Sequence, residues 1–348
     1  MDLVQIFKYA KDKKASDVHI MVGKPPIIRI DGILHEIKSE AVLTQAAVKK
    51  MIFSILKPWQ KERFLQQKEL DLSFQISDET RFRVNCFFEK GNMGLVARII
   101  PSSIPTLEDI DAQEIIYKLA MLDQGLILVT GPTGHGKSTT LAAMINLINS
   151  EKAVNIVTLE DPIEFVFKPK KSIIKQRELG MDMLSFAEGL KHILRQDPNI
   201  IMVGEMRDLE TIATTITLAE TGHLVLATLH TLNASQTIDR IIDIFPPYQQ
   251  DQIRLQLSMT LRGVISQKLL PRKGGGRVAA REILINTPAI ANMIRENKIA
   301  QIKTAIQTSA EEGMITFDMD VMRLYEEGYL DKEVVVRNVS DQDLIKHL

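Results

Sequence analysis

Gly131, Gly134, Gly136, Lys137 and Ser138 fall within the eight residues Gly131-Pro-Thr-Gly-His-Gly-Lys-Ser138, and together they can enclose an anion. Glycine tolerates positive φ, so glycines at this spacing let successive backbone N–H groups converge on one phosphate. Lys137 adds a point charge for β and γ phosphates, and the Ser138 hydroxyl suits Mg²⁺. Pro132, Thr133, His135 and Thr139 complete the nucleotide-binding stretch. The pattern G-x-x-x-x-G-K-[S/T] carries weight only between a strand and a helix. Both are readable here. Leu126 to Val129 are apolar without a break, as in a strand buried on both faces, and Thr139 to Ile148 reads as a helix whose N-terminus adds partial positive charge.

Carboxylates follow at two later strand ends. In Glu160-Asp-Pro-Ile-Glu164, an acid can orient the water that attacks a γ-phosphate, and Glu164 is the first choice for that task. The same acids would also suit a turn, since Asp-Pro commonly starts one. Asn199 to Glu205 has the form of a Walker B strand with Gly-Glu where an Asp is usual, which gives Glu205 a role on Mg²⁺, through water, or on the nucleophile. An ordinary strand-end glutamate fits that position as well. His223 and His230 flank the run Leu224 to Leu229. Near a phosphate either could donate a hydrogen bond and report nucleotide state, while a packed histidine satisfied by backbone fits the same places.

The elements that must position these groups are legible in outline. From Ile115 onward, apolar runs at Val154 to Leu159, Ile200 to Val203 and Leu224 to Thr228 alternate with helical stretches, which predicts a parallel sheet with crossover helices. Ligands of such sheets bind outside the carboxyl ends of the strands, where Glu160, Glu205 and His230 lie. Upstream, Leu3, Ile6, Phe7 and Ala10 have helical spacing, and Ser16 to Ile20 leads to an extended stretch at Ile27 to Ile30 with a turn at Asp31-Gly32. Thr44 to Leu56 reads as a helix ending before Pro58. Arg81 to Phe88 alternates as a half-buried strand, Gly91 to Gly94 turns, and Gly94 to Ile100 returns. Residues 1 to 100 therefore form an antiparallel sheet with helices, and Pro101 to Pro105 is the best linker. Beyond Pro246-Pro247 come helical segments, a hairpin around Gly274 to Gly276, and amphipathic helices to the C-terminus.

Composition narrows the class. With 348 residues and 45% hydrophobic content the chain is long enough for two domains with sizeable cores. A formal net charge of −1 makes no bulk electrostatic case for nucleic acid or an anionic bilayer. The single cysteine, Cys86, excludes an internal disulfide and a Cys-pair zinc site and fits a reducing, cytoplasmic setting. No apolar run approaches the length of a membrane span, so membrane association is expected only through a partner or a surface.

Taken in order, Gly131 to Thr139, Glu160 to Glu164, Gly204-Glu-Met-Arg-Asp208 and Thr221 to His230 resemble the Walker A, Asp box, Walker B and His box of the secretion ATPases. Within that superfamily the chain is similar to the type IV pilus retraction ATPases, from Ser16-Asp-Val-His19 to beyond Thr316. Pro288 to Glu296 resembles a C-terminal retraction signature, with Ala291 in place of its first arginine, and Gly313 to Phe317 is also similar to the accessory retraction subgroup. The resemblance implies an α/β chain: a PAS-like α/β domain over 1–100, a linker over 101–112, and a RecA-like P-loop ATPase domain over 113–348 with C-terminal helices. It implies ATP and Mg²⁺, a homohexamer with nucleotide between subunits, and arginines delivered by a neighbour. Arg81, Arg83 and Arg98 lie on N-terminal strands and suit that task, although alternating arginines also merely solvate a sheet face. The implied partners are an inner-membrane pilus platform protein and, indirectly, pilin; the implied place is the cytoplasmic face of the inner membrane. The assembly direction of the same machinery is the related alternative, against which the absence of a four-Cys zinc module speaks. An ATP-binding adaptor without hydrolysis is the alternative of another class.

Overall fold

The computed structural model describes residues 1–30, 32–77, 80–100 and 103–346, and divides into two compact units. The first comprises residues 1–103 together with Pro162–Val166. Its six strands are β1 (Asp17–Ile20), β2 (Ile27–Ile30), β3 (Ile33–Glu36), β4 (Glu69–Ser77), β5 (Thr80–Glu89) and β6 (Asn92–Ile100). They pair antiparallel throughout in the order β3-β2-β1-β6-β5-β4. The helix Leu3–Asp12 starts where Asp2 and Gln5 cap each other reciprocally, and it buries Leu3, Ile6, Phe7 and Ala10. Phe7 stacks on Phe82 of β5 at 4.2 Å between centroids, which ties helix to sheet. Asp31 of the expected turn, and Pro101 and Ser102 of the expected linker, lie outside the described residues.

The second unit spans residues 104–161 and 167–348. Its strands are β7 (Gly125–Thr130), β8 (Asn155–Glu160), β9 (Ile173–Glu178), β10 (Ile200–Val203), β11 (Leu224–Leu229), β12 (Leu261–Pro271) and β13 (Arg277–Ile285), in the order β13-β12-β7-β11-β10-β8-β9. All neighbours run parallel except the β12–β13 hairpin. Every side chain of β7, β10 and β11 is buried, which is why those runs read as continuously apolar. The hairpin expected around Gly274 to Gly276 is β12–β13, and it extends the nucleotide sheet, because β12 pairs with β7 directly. Most of the stretch expected as linker belongs to this unit. Buried Arg281 of β13 donates to the carbonyls of Ile110 and Asp111 at 2.8 and 2.7 Å, and Arg323 pairs with Asp111 at 3.0 Å. Burial lowers the Arg281 pKa to about 10.

Candidate nucleotide site

The phosphate loop leaves β7 at Gly131 and enters the helix Lys137–Glu151 through Gly136, which serves as N-cap at φ 82°. Gly131 has φ 141°, and a Cβ there would sit 2.2 Å from the Gln267 carbonyl oxygen of β12. Both conditions demand glycine. Gly134, at φ 78°, meets nothing within 4 Å, so its requirement is conformational alone. Lys137 is largely buried, and its Nζ donates to the carbonyls of Gly131 at 2.7 Å and Pro132 at 3.0 Å. The ammonium thus lies across the mouth of its own loop.

From Lys137 a chain of polar contacts crosses the carboxyl edge of the sheet in strand order. His230, after β11, has Nδ1 3.3 Å from Lys137 Nζ and 3.3 Å from Thr133 Oγ1, and Nε2 2.9 Å from Glu205 Oε1. Glu205 follows β10, and its second oxygen accepts from Arg207 at 2.8 Å. Arg207 in turn lies 3.9 Å from Asp161, beyond β8. The order β7, β11, β10, β8 is the spatial order of the strands, so the topology assembles the chain. An Nε2–H that donates to Glu205 leaves Nδ1 as an acceptor for Lys137 or Thr133, so the contacts on both sides of the ring are met by one tautomer. Burial pushes the Glu205 carboxyl up, but the hydrogen bonds from Arg207 and His230 and the Arg207 charge outweigh it, so the group sits below the usual carboxylate range.

β12 walls the other side of the loop. Gln267 Nε2 donates to the His135 carbonyl at 2.7 Å, Gln267 Oε1 accepts from Thr140 Oγ1 at 2.8 Å, and Leu269 N–H donates to His135 Nδ1 at 2.9 Å. Burial, with Lys268, Arg277 and Lys137 nearby, holds the His135 pKa below its ordinary value. Neutral His135 suits acceptance from Leu269. Ser138 and Thr139 occupy the first turn of the helix.

The structure does not bring every candidate to this place. Glu160 is buried at the end of β8 and accepts from Thr158 at 2.7 Å and from Gln176 of β9 at 2.9 Å, contacts that lie toward the outer edge of the sheet. His223 precedes β11, and its carbonyl accepts from Gly125 N–H at the amino end of β7. Six strand residues separate that level from Gly131, about 20 Å at the ordinary rise. Its Nδ1 contacts Leu218 O at 3.0 Å and Thr221 Oγ1 at 3.1 Å, the packed arrangement. Glu164 belongs to Pro162–Val166, which groups with the N-terminal unit, as do Arg81, Arg83 and Arg98. Arg98 pairs with Asp17 at 2.9 Å, Arg81 donates to Ser73 at 2.8 Å, and Arg83 faces Arg98 across β5 and β6.

Two site residues were not assigned from sequence. Arg207 stands inside Gly204 to Asp208, two residues from Glu205, where a cation beside an acid was the available signal. Gln267 had none, because nothing placed β12 beside β7.

Comparison with known proteins agrees with the geometry. Residues 2–327 match the family model described as type II/IV secretion system protein. The chain belongs to that family and is a secretion-type ATPase. It is 47% identical over 333 residues to the type IV pilus retraction ATPase PilT of Pseudomonas aeruginosa, covering 96% of each chain. It is 37% identical to the type IV pilus ATPase PilU of the same organism, over 96% of this chain and 87% of that one. A crystal structure of the pilus retraction motor PilT with bound ADP superposes with a TM-score of 0.93 at 43% identity, covering all of both chains.

Proposed function

We propose that this chain is the ATP-driven motor that retracts a type IV pilus, working in twitching motility as a cytoplasmic homohexamer on an inner-membrane platform protein and, through it, on pilin. The observation that carries the reading is the contact chain Lys137–His230–Glu205 at the carboxyl edge of a sheet in a protein similar to a retraction motor along its whole length. The ten-point difference in identity favours the PilT-like role over the PilU-like accessory one.

Lys137 exchanges two loop carbonyls for phosphate oxygens, which carry full charge and reward the ammonium more. Release of Lys137 frees His230 Nδ1, so His230 registers the arrival of phosphate at Glu205, two strands away. Glu205, held ionised, manages the metal and its water, and Glu164 orients the attacking water. The Ser138 hydroxyl and the Glu205 carboxylate are hard oxygen donors that fit Mg²⁺. Among the described residues no group of three His, Cys, Asp or Glu could hold a metal, which suits an ion that keeps several waters and takes phosphate oxygens. Bound there, Mg²⁺ would neutralise charge developing on the phosphoryl group. Arg81, Arg83 and Arg98 act on the site of a neighbouring subunit. Among the described residues no helix is long and apolar enough to cross a membrane, so a protein partner holds the motor at the bilayer.

ATP turnover by the purified chain tests this. We expect specific activity to rise with protein concentration and to be lost in Lys137→Ala. Mixing Lys137→Ala with Arg98→Ala should restore part of it, because some interfaces then hold an intact lysine facing an intact arginine. Normal turnover by folded Lys137→Ala would end the site assignment, and concentration-independent activity with no rescue would end the shared site.

A further inference from the structure

Gln267 touches the phosphate loop at two points and the helix that follows it at a third. Its backbone carbonyl lies directly beneath Gly131, its carboxamide N–H donates to the His135 carbonyl, and its carboxamide oxygen takes the Thr140 hydroxyl in the first turn of the helix that follows. The side chain is almost wholly buried, and β12 is pinned at the same level by Thr130 Oγ1 and Ser266 Oγ, 2.8 Å apart across β7 and β12. A buried carboxamide with both ends engaged cannot rotate without leaving polar groups unsatisfied.

We propose that Gln267 is a positioning residue for nucleotide binding, which sets the direction of the phosphate-loop amides from the neighbouring strand. This rests on the reading of Gly131–Thr139 as the nucleotide site. The His135 carbonyl and the Gly136 N–H belong to one planar trans peptide and point in opposite directions. Anchoring that carbonyl on Gln267 therefore aims the Gly136 N–H away from β12, to the side on which this class of loop holds phosphate. The Thr140 contact fixes the helix that continues from the same peptide, so loop and helix N-terminus share one support. A phosphate loop is useful when its donors converge before the ligand arrives, because the ordering is then already complete. Without the brace the peptide can turn, and binding must first reorder it.

The test compares full-length wild type, Gln267→Met, Gln267→Glu and Thr140→Val in fluorescent-ADP binding, steady-state ATP hydrolysis and thermal melting. Gln267→Met keeps length and apolar fit but loses both side-chain hydrogen bonds. Gln267→Glu keeps acceptance from Thr140 and sets a carboxylate against the His135 carbonyl. We expect ADP affinity to fall roughly tenfold in Gln267→Met and further in Gln267→Glu, with KM for ATP rising in step and kcat at saturation within about threefold. Thr140→Val, which removes only the far anchor, should weaken ADP by about threefold and add nothing to Gln267→Met in the double variant. A residue that serves fold stability alone would lower the melting temperature and leave the affinity of the folded protein unchanged. ADP affinity within twofold of wild type in all folded variants would overturn the proposal. If a Gln267 variant does not fold, the other variant and Thr140→Val decide by the same criterion. Lys137→Ala, measured alongside, separates the two readings: unchanged ADP binding there would indict the site itself, whereas loss there with normal Gln267 variants would indict the brace.

Discussion

Lys137 and Glu205 are joined through one imidazole, so the ammonium proposed to meet the phosphates and the carboxylate proposed to manage hydrolysis are one contact apart on either side of His230. Glu205→Gln keeps the shape and one acceptor oxygen but loses the charge. We expect ADP and ATP to bind nearly as before, while hydrolysis falls roughly 10²- to 10⁴-fold. Loss of binding with unchanged turnover per bound ATP would reverse the assignment. In the N-terminal unit, Asp17 faces Arg98 at 2.9 Å and Arg29 at 3.6 Å. Burial raises its pKa, but hydrogen bonds from Arg98 and Ser16 and the charges of both arginines lower it further, so the net shift is downward. A depressed carboxylate pKa stabilises the fold above the unfolded value, and that contribution disappears as pH falls through the folded value. Asp17→Asn should therefore melt below wild type at neutral pH, with the difference closing as pH falls through the depressed folded value. A difference that persists in acid would show that packing, not charge, is at stake.

At the scale of elements, the strand–loop–helix unit and the three downstream strand ends were readable, because buried parallel strands are continuously apolar and phosphate-loop glycines have fixed spacing. What escaped did so for physical reasons. The helix read as ending before Pro58 does so, at Ile55, but proline also suits the first position of a helix, and the helix Pro58–Gln67 that follows was missed. β9 is an edge strand reading Ile-Ile-Lys-Gln-Arg-Glu, with only its last residue buried, so it carries no core signal. His223 was grouped with His230 by proximity in sequence, yet the two ends of a parallel strand are different places, and only the carboxyl end faces the ligand. The partnership of β12 with β7 is a long-range pairing that no local pattern announces, and Gln267 was invisible with it. That pairing makes a sharp steric prediction. Gly131→Ala drives a methyl into the Gln267 carbonyl and should cost several kcal/mol, roughly 3 or more, and abolish ADP binding. Gly134→Ala meets open space and should cost only about 1–2 kcal/mol for its positive φ. Thermal melting with ADP titration of both variants checks the order, and equal effects would show that β12 does not crowd the loop.

For the whole molecule, two units with separate cores divide the labour: one carries the nucleotide loop, and the other carries the arginines and, unexpectedly, Glu164, which the chain hands over from the Asp box within five residues, Pro162–Val166. Placement of catalytic candidates on both units is what a motor needs if turnover is to be linked to movement, and it makes ATPase activity a property of the assembled ring under the reading proposed above. The central claim is that this machine withdraws pili. The most direct measurement is a count of surface pili, with twitching motility, in the host lacking this gene and in the same strain given back wild type or Lys137→Ala. Retraction predicts abundant pili without twitching in the deletion and in the Lys137→Ala strain, and ordinary numbers with motility in the wild-type complement; a deletion strain bare of pili, or full rescue by Lys137→Ala, would contradict it.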